Sequence, residues 1–218
     1  MSESTNEVKK LYISAYSQHG KSSKSLMMPK GRHFERFKIL TSKLEGNNFS
    51  VLDFGCGFGH LYRYLQERYE NFSYTGVDIV SEFVAENEKS FPEARFETIS
   101  SYEDIKEDYD YVLIAGTFNM KYLEDEAENK KLIQKYLTHL YKRSNRMLCV
   151  DFMTDNVDYR QPGAFHQNPM ELYQFVTQNL SKRVILNQSV FPYEFSMLIF
   201  KNLEVERDSN IFEGEKLR

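Results

Sequence analysis

The chain has 218 residues, of which 41% are hydrophobic, 15% aromatic and 28% charged, a composition that excludes a disordered chain or a collagen-like repeat and suits one ordinary domain. Its 28 basic residues against 32 acidic ones give a net charge of −4. With no basic block long enough to track a phosphate backbone, nucleic acid is excluded as a partner. No apolar run approaches the roughly 20 residues of a membrane helix, and Met1 to Lys10 is too polar for a signal peptide. A soluble, cytoplasmic protein with no membrane partner is expected, as a monomer or homodimer. The two cysteines, Cys56 and Cys149, have no paired metal-ligand spacing and read as reduced thiols, so no metal site is expected. Tryptophan is absent, which leaves Tyr and Phe as the rings available for stacking.

From Thr5 to Ser17, Val8, Leu11, Tyr12, Ala15 and Tyr16 recur at helical spacing, and the helix ends near His19-Gly20. Lys21 to Gly31 is a polar loop, a candidate lid whose Met27 and Met28 can fold over something apolar. A second helix is predicted from Arg32 to Leu44, with Phe34, Phe37, Ile39 and Leu40 inward. The rhythm then changes. Phe49 to Phe54 reads as a strand, a glycine loop follows, and Leu61 to Tyr69 is helical. Tyr74 to Val77 is a second strand closing at Asp78, Ser81 caps a helix through Phe91, Arg95 to Ile99 is a third strand and Tyr111 to Ala115 a fourth. A helix over Glu124 to Lys142 and a strand over Arg146 to Phe152 complete five alternations. Such alternation predicts an α/β fold with a doubly wound, mostly parallel sheet. After a loop from Thr154 to Pro169 and a helix from Met170 to Leu180, the runs Arg183 to Phe191 and Tyr193 to Lys201 predict an antiparallel hairpin at one edge, making seven strands. Asn202 to Arg218 reads as a polar, mobile tail.

The chemistry is concentrated in Asp53-Phe54-Gly55-Cys56-Gly57-Phe58-Gly59-His60. Alternate glycines directly after a buried strand let a ligand approach bare main chain at a helix N-terminus. A dinucleotide fingerprint wants glycine five steps after Gly55, where this chain has His60, which ranks an NAD-linked oxidoreductase last. Asp53, just before the glycines, repels a pyrophosphate and attracts an ammonium or sulfonium ion. Asp78, about 20 residues beyond the loop, is placed to accept hydrogen bonds from a ribose.

Asp53, Gly55, Gly57, Gly59 and Asp78, with the late hairpin, resemble the class I S-adenosylmethionine-dependent methyltransferases over about Phe49 to Lys201. A closer resemblance is to small bacterial methyltransferases of polysaccharide and secondary-metabolite gene clusters, through His19-Gly20, Arg36-Phe37, Gly116-Thr117-Phe118-Asn119 and Tyr193-Glu194-Phe195. The resemblance implies a Rossmann-like fold and S-adenosyl-L-methionine as cofactor. It divides the chain into a helical lid and substrate segment (1–45), the methyltransferase domain (46–201) and the tail (202–218). It also implies that Ile79, Ser100, Ser101 and Tyr102 border adenine, that Gly116 and Thr117 lie beneath the methionine part, and that Cys56 belongs to the binding loop without being a nucleophile.

Arg36 has two readings, one holding the ligand carboxylate and one forming a surface pair. His139 reads as a surface residue, and His33 and His60 as packing or capping as much as anything else. His19 and His166 sit in glycine-bearing loops and can take a proton from an acceptor hydroxyl near neutral pH, and Tyr16 is a further candidate for removing that proton during or after transfer. Tyr12, Tyr16, Phe118 and Tyr193 are core aromatics singly or an acceptor wall as a set. The expected reaction is methyl transfer to a small-molecule acceptor, a hydroxyl of a sugar, sugar nucleotide or phosphorylated precursor. The alternative is a non-catalytic binding subunit or sensor with the same fold, its pocket mouth blocked by Met27, Met28 or the 154–169 loop.

Overall fold

A computed structural model describes residues 3–27 and 33–202. Residues 1–2, the end of the predicted loop with its Met28 (28–31), the predicted helix start at Arg32 and the predicted tail beyond Asn202 lie outside them. In chain order the elements are α1 (Glu3–His19), α2 (His33–Leu40), β1 (Phe49–Phe54), α3 (His60–Gln66), β2 (Phe72–Asp78), α4 (Ser81–Ser90), β3 (Arg95–Thr98), β4 (Tyr109–Ile114), α5 (Glu126–Lys142), β5 (Ser144–Thr154), β6 (His166–Gln167), α6 (Pro169–Asn179), β7 (Val184–Asn187) and β8 (Glu194–Phe200).

The strands lie in the order β3-β2-β1-β4-β5-β8-β7, with the two-residue β6 added beside β5. β1 to β5 are mutually parallel, and β8 runs antiparallel to both β5 and β7. Alternation along the central strands divides the core in two. Leu52, Phe54, Val112 and Ile114 pack with Ile133, Leu137 and Leu140 of α5 on one face. Phe49, Val51, Tyr111 and Leu113 pack with Phe37 and Leu40 of α2 and Leu61 and Leu65 of α3 on the other. Burial on both faces is why these strands read as continuous apolar runs.

Most boundaries fall within a few residues of the predicted ones. α5 is capped by Asp125, whose side chain accepts from the Glu128 N–H, and α6 by Asn168, with Pro169 at its first position. The differences have physical causes. α2 stops at Leu40 and a turn carries the chain on to Leu44, and Phe34 is 51% exposed, not inward. The predicted edge hairpin forms with its second strand inside the sheet, because β8 is buried along almost its whole length whereas β7 is half exposed. The first run was predicted through Phe191 but leaves the ladder at Asn187, where a turn follows. Among the described residues no helix is long and apolar enough to cross a membrane.

β1 pairs with β2 on one side and β4 on the other. The chain therefore changes direction across the sheet at β1, and a crevice opens beyond the carboxyl ends of β1 and β4, where ligands bind in doubly wound sheets.

Candidate binding cleft at the switch point

The glycine loop fills the space between β1 and α3. Gly55, Gly57 and Gly59 all have positive φ, at 80°, 52° and 67°, a region an L side chain enters only with strain. A Cβ on Gly55 would stand 2.2 Å from Thr117 Oγ1, whose hydroxyl donates to the Phe54 carbonyl at 2.9 Å. The loop is held from below. The Gly55 and Cys56 N–H groups donate to the Val77 carbonyl at 2.8 and 3.0 Å, the Gly57 N–H donates to Asp78 Oδ2 at 2.9 Å, and Asn87 Nδ2 donates to the Gly57 carbonyl at 2.7 Å.

Asp53 is buried and accepts the Tyr74 hydroxyl at 2.6 Å. Burial pushes its acid up to about 7, opposed by the Tyr74 hydrogen bond and reinforced by the charge of Asp78. Desolvation thus works against the charge that the sequence assigns to Asp53, since burial disfavours a carboxylate with no cation beside it. Asp78 is pushed up by burial too, against the backbone donors of Val80 and Gly57. With the Ile79 N–H these donors occupy three of about four acceptor positions on its carboxylate, so limited acceptor capacity remains.

The crevice is a partly enclosed cleft at the carboxyl ends of β1, β2 and β4. Asp53, Gly55, Cys56, Gly57 and Asp78 line it, together with Ile79, Ile99, Ser101 and Tyr102 and with Gly116, Thr117 and Tyr122. The walls include Val8 and Tyr12 of α1, Leu26, and His33 and Phe37 of α2. Burial and the nearby Asp78 push the Tyr12 phenol upward, so it stays protonated. Cys56 is buried with its thiol pushed well up, which fits a loop residue and not a nucleophile.

Six predicted site residues do not line this crevice. Gly59 faces Phe91 and a neighbouring cavity. The Ser100 N–H donates to Asp104 Oδ2 at 2.7 Å, within a capped turn begun by Ser101. His19 is exposed at the end of α1. His166 is buried, its Nδ1 2.8 Å from the Thr154 carbonyl while Nε2 accepts from the Gln161 N–H, so neither ring nitrogen is free. Tyr16 packs its ring on Phe58 and Phe83. Phe118 is fully buried and Tyr193 stacks on Phe191, so the predicted aromatic wall reduces to Tyr12. His139 is tied to the Ile105 carbonyl at 2.9 Å and is only partly exposed. Met27 is 42% exposed, and neither it nor any residue of 154–169 lines the crevice. The adjacent Leu26 meets the glycine loop instead.

Arg36, the sixth, takes neither of its predicted roles. It is buried, its Nε donating to Glu194 Oε2 at 2.7 Å and its Nη2 to Glu194 Oε1, and Asp151 Oδ2 lies 3.3 Å from Nε. Asp151 Oδ1 in turn accepts the Gly116 N–H at 2.5 Å. Burial pushes Asp151 up to about 6 despite the charge of Arg36. This triad ties α2 and β8 to the turn after β4. Sequence reasoning missed Asp151, whose signal is a charge inside the apolar run Met147-Leu148-Cys149-Val150-Asp151-Phe152. It also missed Asn87, which stands on the buried face of α4 with Phe83 and Val84.

Residues 52–143 match the profile of a methyltransferase domain family. The fold is a methyltransferase fold. The magnesium protoporphyrin IX methyltransferase of Synechocystis, crystallised with S-adenosylmethionine, superposes with a TM-score of 0.65 at 15% identity, covering 93% of this chain and 99% of that one. An S-adenosylmethionine-dependent methyltransferase of Aquifex aeolicus gives 0.59 at 18% identity over 81% and 96% of the two chains. The plantazolicin methyltransferase BamL gives 0.59 at 16% identity over 90% and 97%. A Mycobacterium tuberculosis protein whose name places it among methyltransferases is 28% identical over 155 residues, 70% of this chain and 93% of that one. The matched residues 52–143 run from within β1 through α5.

Proposed function

We propose that this methyltransferase binds S-adenosylmethionine in the switch-point crevice and methylates a hydroxyl of a small molecule, in the class of sugars, sugar nucleotides and phosphorylated precursors. The observation that carries the reading is the joint placement of Asp53, the bare glycine loop and Asp78 in one crevice. In this reading Asp78 accepts the ribose hydroxyls. Ile79, Ile99 and Tyr102 enclose the purine, and the Ser101 segment borders it. Gly55, Gly57, Gly116 and Thr117 give the methionine part a wall without projecting bulk, and Asp53 faces its positive charge. When bound, the cofactor supplies an activated methyl group, so the protein's task is alignment and exclusion of water. Val8, Tyr12 and Leu26 supply that exclusion, which makes residues 1–45 the segment that covers the donor and meets the acceptor. No proton acceptor is assigned to His19, His166 or Tyr16, since none reaches the crevice.

Magnesium protoporphyrin IX and plantazolicin methyltransferases are named for a porphyrin and a peptide-like acceptor. The same fold thus serves several acceptor chemistries, and the acceptor is a property of each chain's own walls. The test is a turnover screen by mass spectrometry over sugars, sugar nucleotides and phosphorylated metabolites, read as the gain of one CH2 together with release of S-adenosylhomocysteine. Wild type gains the mass on at least one acceptor, and Asp78→Ala loses it. Cofactor binding without turnover on any acceptor would favour a non-catalytic sensor.

A further inference from the structure

A second cavity adjoins the donor crevice and shares two of its wall residues, His33 and His60. It has a volume of about 520 Å³, and Lys21, Ser22, Ser23 and Arg63 line it. The two imidazoles are stacked, with ring centroids 5.4 Å apart and planes 25° apart. Neither side chain makes a hydrogen bond among the described residues.

The second cavity carries two cations, Lys21 and Arg63. Arg36, Arg68, Arg95, Arg143, Arg146 and Arg160 each have a carboxylate partner. Arg63 has no ion pair among the described residues; its guanidinium lies 5.9 Å from the Phe91 ring centroid. Lys21 has no carboxylate either, its ammonium donating to Ser90 Oγ at 2.7 Å. Burial pushes His60 down to about 4, and His33, Arg63 and Lys21 add to the effect. Burial and Arg36 push His33 down as well. Burial by itself disfavours any charge there, but the positive charges of Arg63 and Lys21 beside His60 favour an anion over a cation, and an arginine beside hydroxyls and imidazoles suits a phosphate or carboxylate.

We propose that Lys21, Ser22, Ser23, His33, His60 and Arg63 form the acceptor's anion subsite, which selects a small molecule carrying a phosphate or carboxylate and presents its other end to the donor crevice through the shared histidine wall. This rests on the donor reading above and narrows its acceptor to anionic metabolites.

The test is a calorimetric titration of inorganic phosphate into the full chain, with and without saturating S-adenosylhomocysteine, in wild type and in Lys21→Gln/Arg63→Gln. Wild type binds one phosphate in both conditions. The double variant binds it at least about tenfold more weakly, while its affinity for S-adenosylhomocysteine stays within about twofold of wild type. Three results would overturn the subsite: no binding to wild type at millimolar phosphate, equal binding to the variant, or mutual competition between phosphate and S-adenosylhomocysteine. The last would give these residues to the donor's own carboxylate. Failure of S-adenosylhomocysteine to bind would instead defeat the donor reading, and the phosphate titration without it still decides the subsite.

Discussion

Desolvation works against the charge of Asp53, and that sets a measurable linkage. In the free protein burial holds its acid at about 7. A ligand ammonium or sulfonium nearby favours the carboxylate and lowers that value, so binding expels a proton wherever the free protein holds one. Affinity for S-adenosylhomocysteine should therefore rise with pH up to about 7, by at most tenfold per unit, and level off above. Asp53→Asn should bind more weakly and lose the slope, which titrations in buffers of different ionisation heat will show. The same residue scale governs Gly55. A methyl there meets Thr117 Oγ1 at 2.2 Å in a left-handed backbone, so Gly55→Ala should lower stability by about 1–3 kcal/mol and weaken cofactor binding. Denaturant unfolding and calorimetry measure the two effects separately.

Among the elements, α2 and β8 are joined by a buried ion triad, and this explains why two short motifs far apart in the chain occur together. Arg36-Phe37 and Tyr193-Glu194-Phe195 are visible in the sequence as separate resemblances. In the fold Arg36 and Glu194 meet, and Asp151 carries the link to the Gly116 turn. Removing the cation alone leaves two carboxylates buried without their partner, so Arg36→Leu should cost about 3–5 kcal/mol in urea unfolding. Replacing all three with apolar residues of similar size should recover much of that loss, since a buried ion group contributes little net stability over good packing. Because α2 also supplies His33 and Phe37 to the crevice wall, the apolar triple variant tests whether the triad positions that wall. It should fold yet bind S-adenosylhomocysteine more weakly than wild type.

At the scale of the whole molecule, the alternation of apolar runs with helical periods made the parallel sheet legible, because strands buried on both faces have to be apolar throughout. Asp53, the glycines and Asp78 were legible because chemistry at a strand end is fixed by local spacing. What escaped was long-range. Nothing local pairs Arg36 with Glu194 across 158 positions. The insertion of β8 between β5 and β7 likewise depends on which run is the more completely buried, a property of the assembled sheet. The candidate proton acceptors were chosen as histidines near glycines, whereas the histidines that reach the crevice, His33 and His60, stand on the first turns of helices. The central claim is that the switch-point crevice receives a positively charged nucleoside. A crystal structure of the chain grown with S-adenosylhomocysteine tests it most directly. Density should show the ribose hydroxyls on Asp78, the purine beside Ile79 and Tyr102, and the amino group facing Asp53. Ligand density elsewhere on the molecule, or the crevice closed by the protein's own side chains, would contradict it.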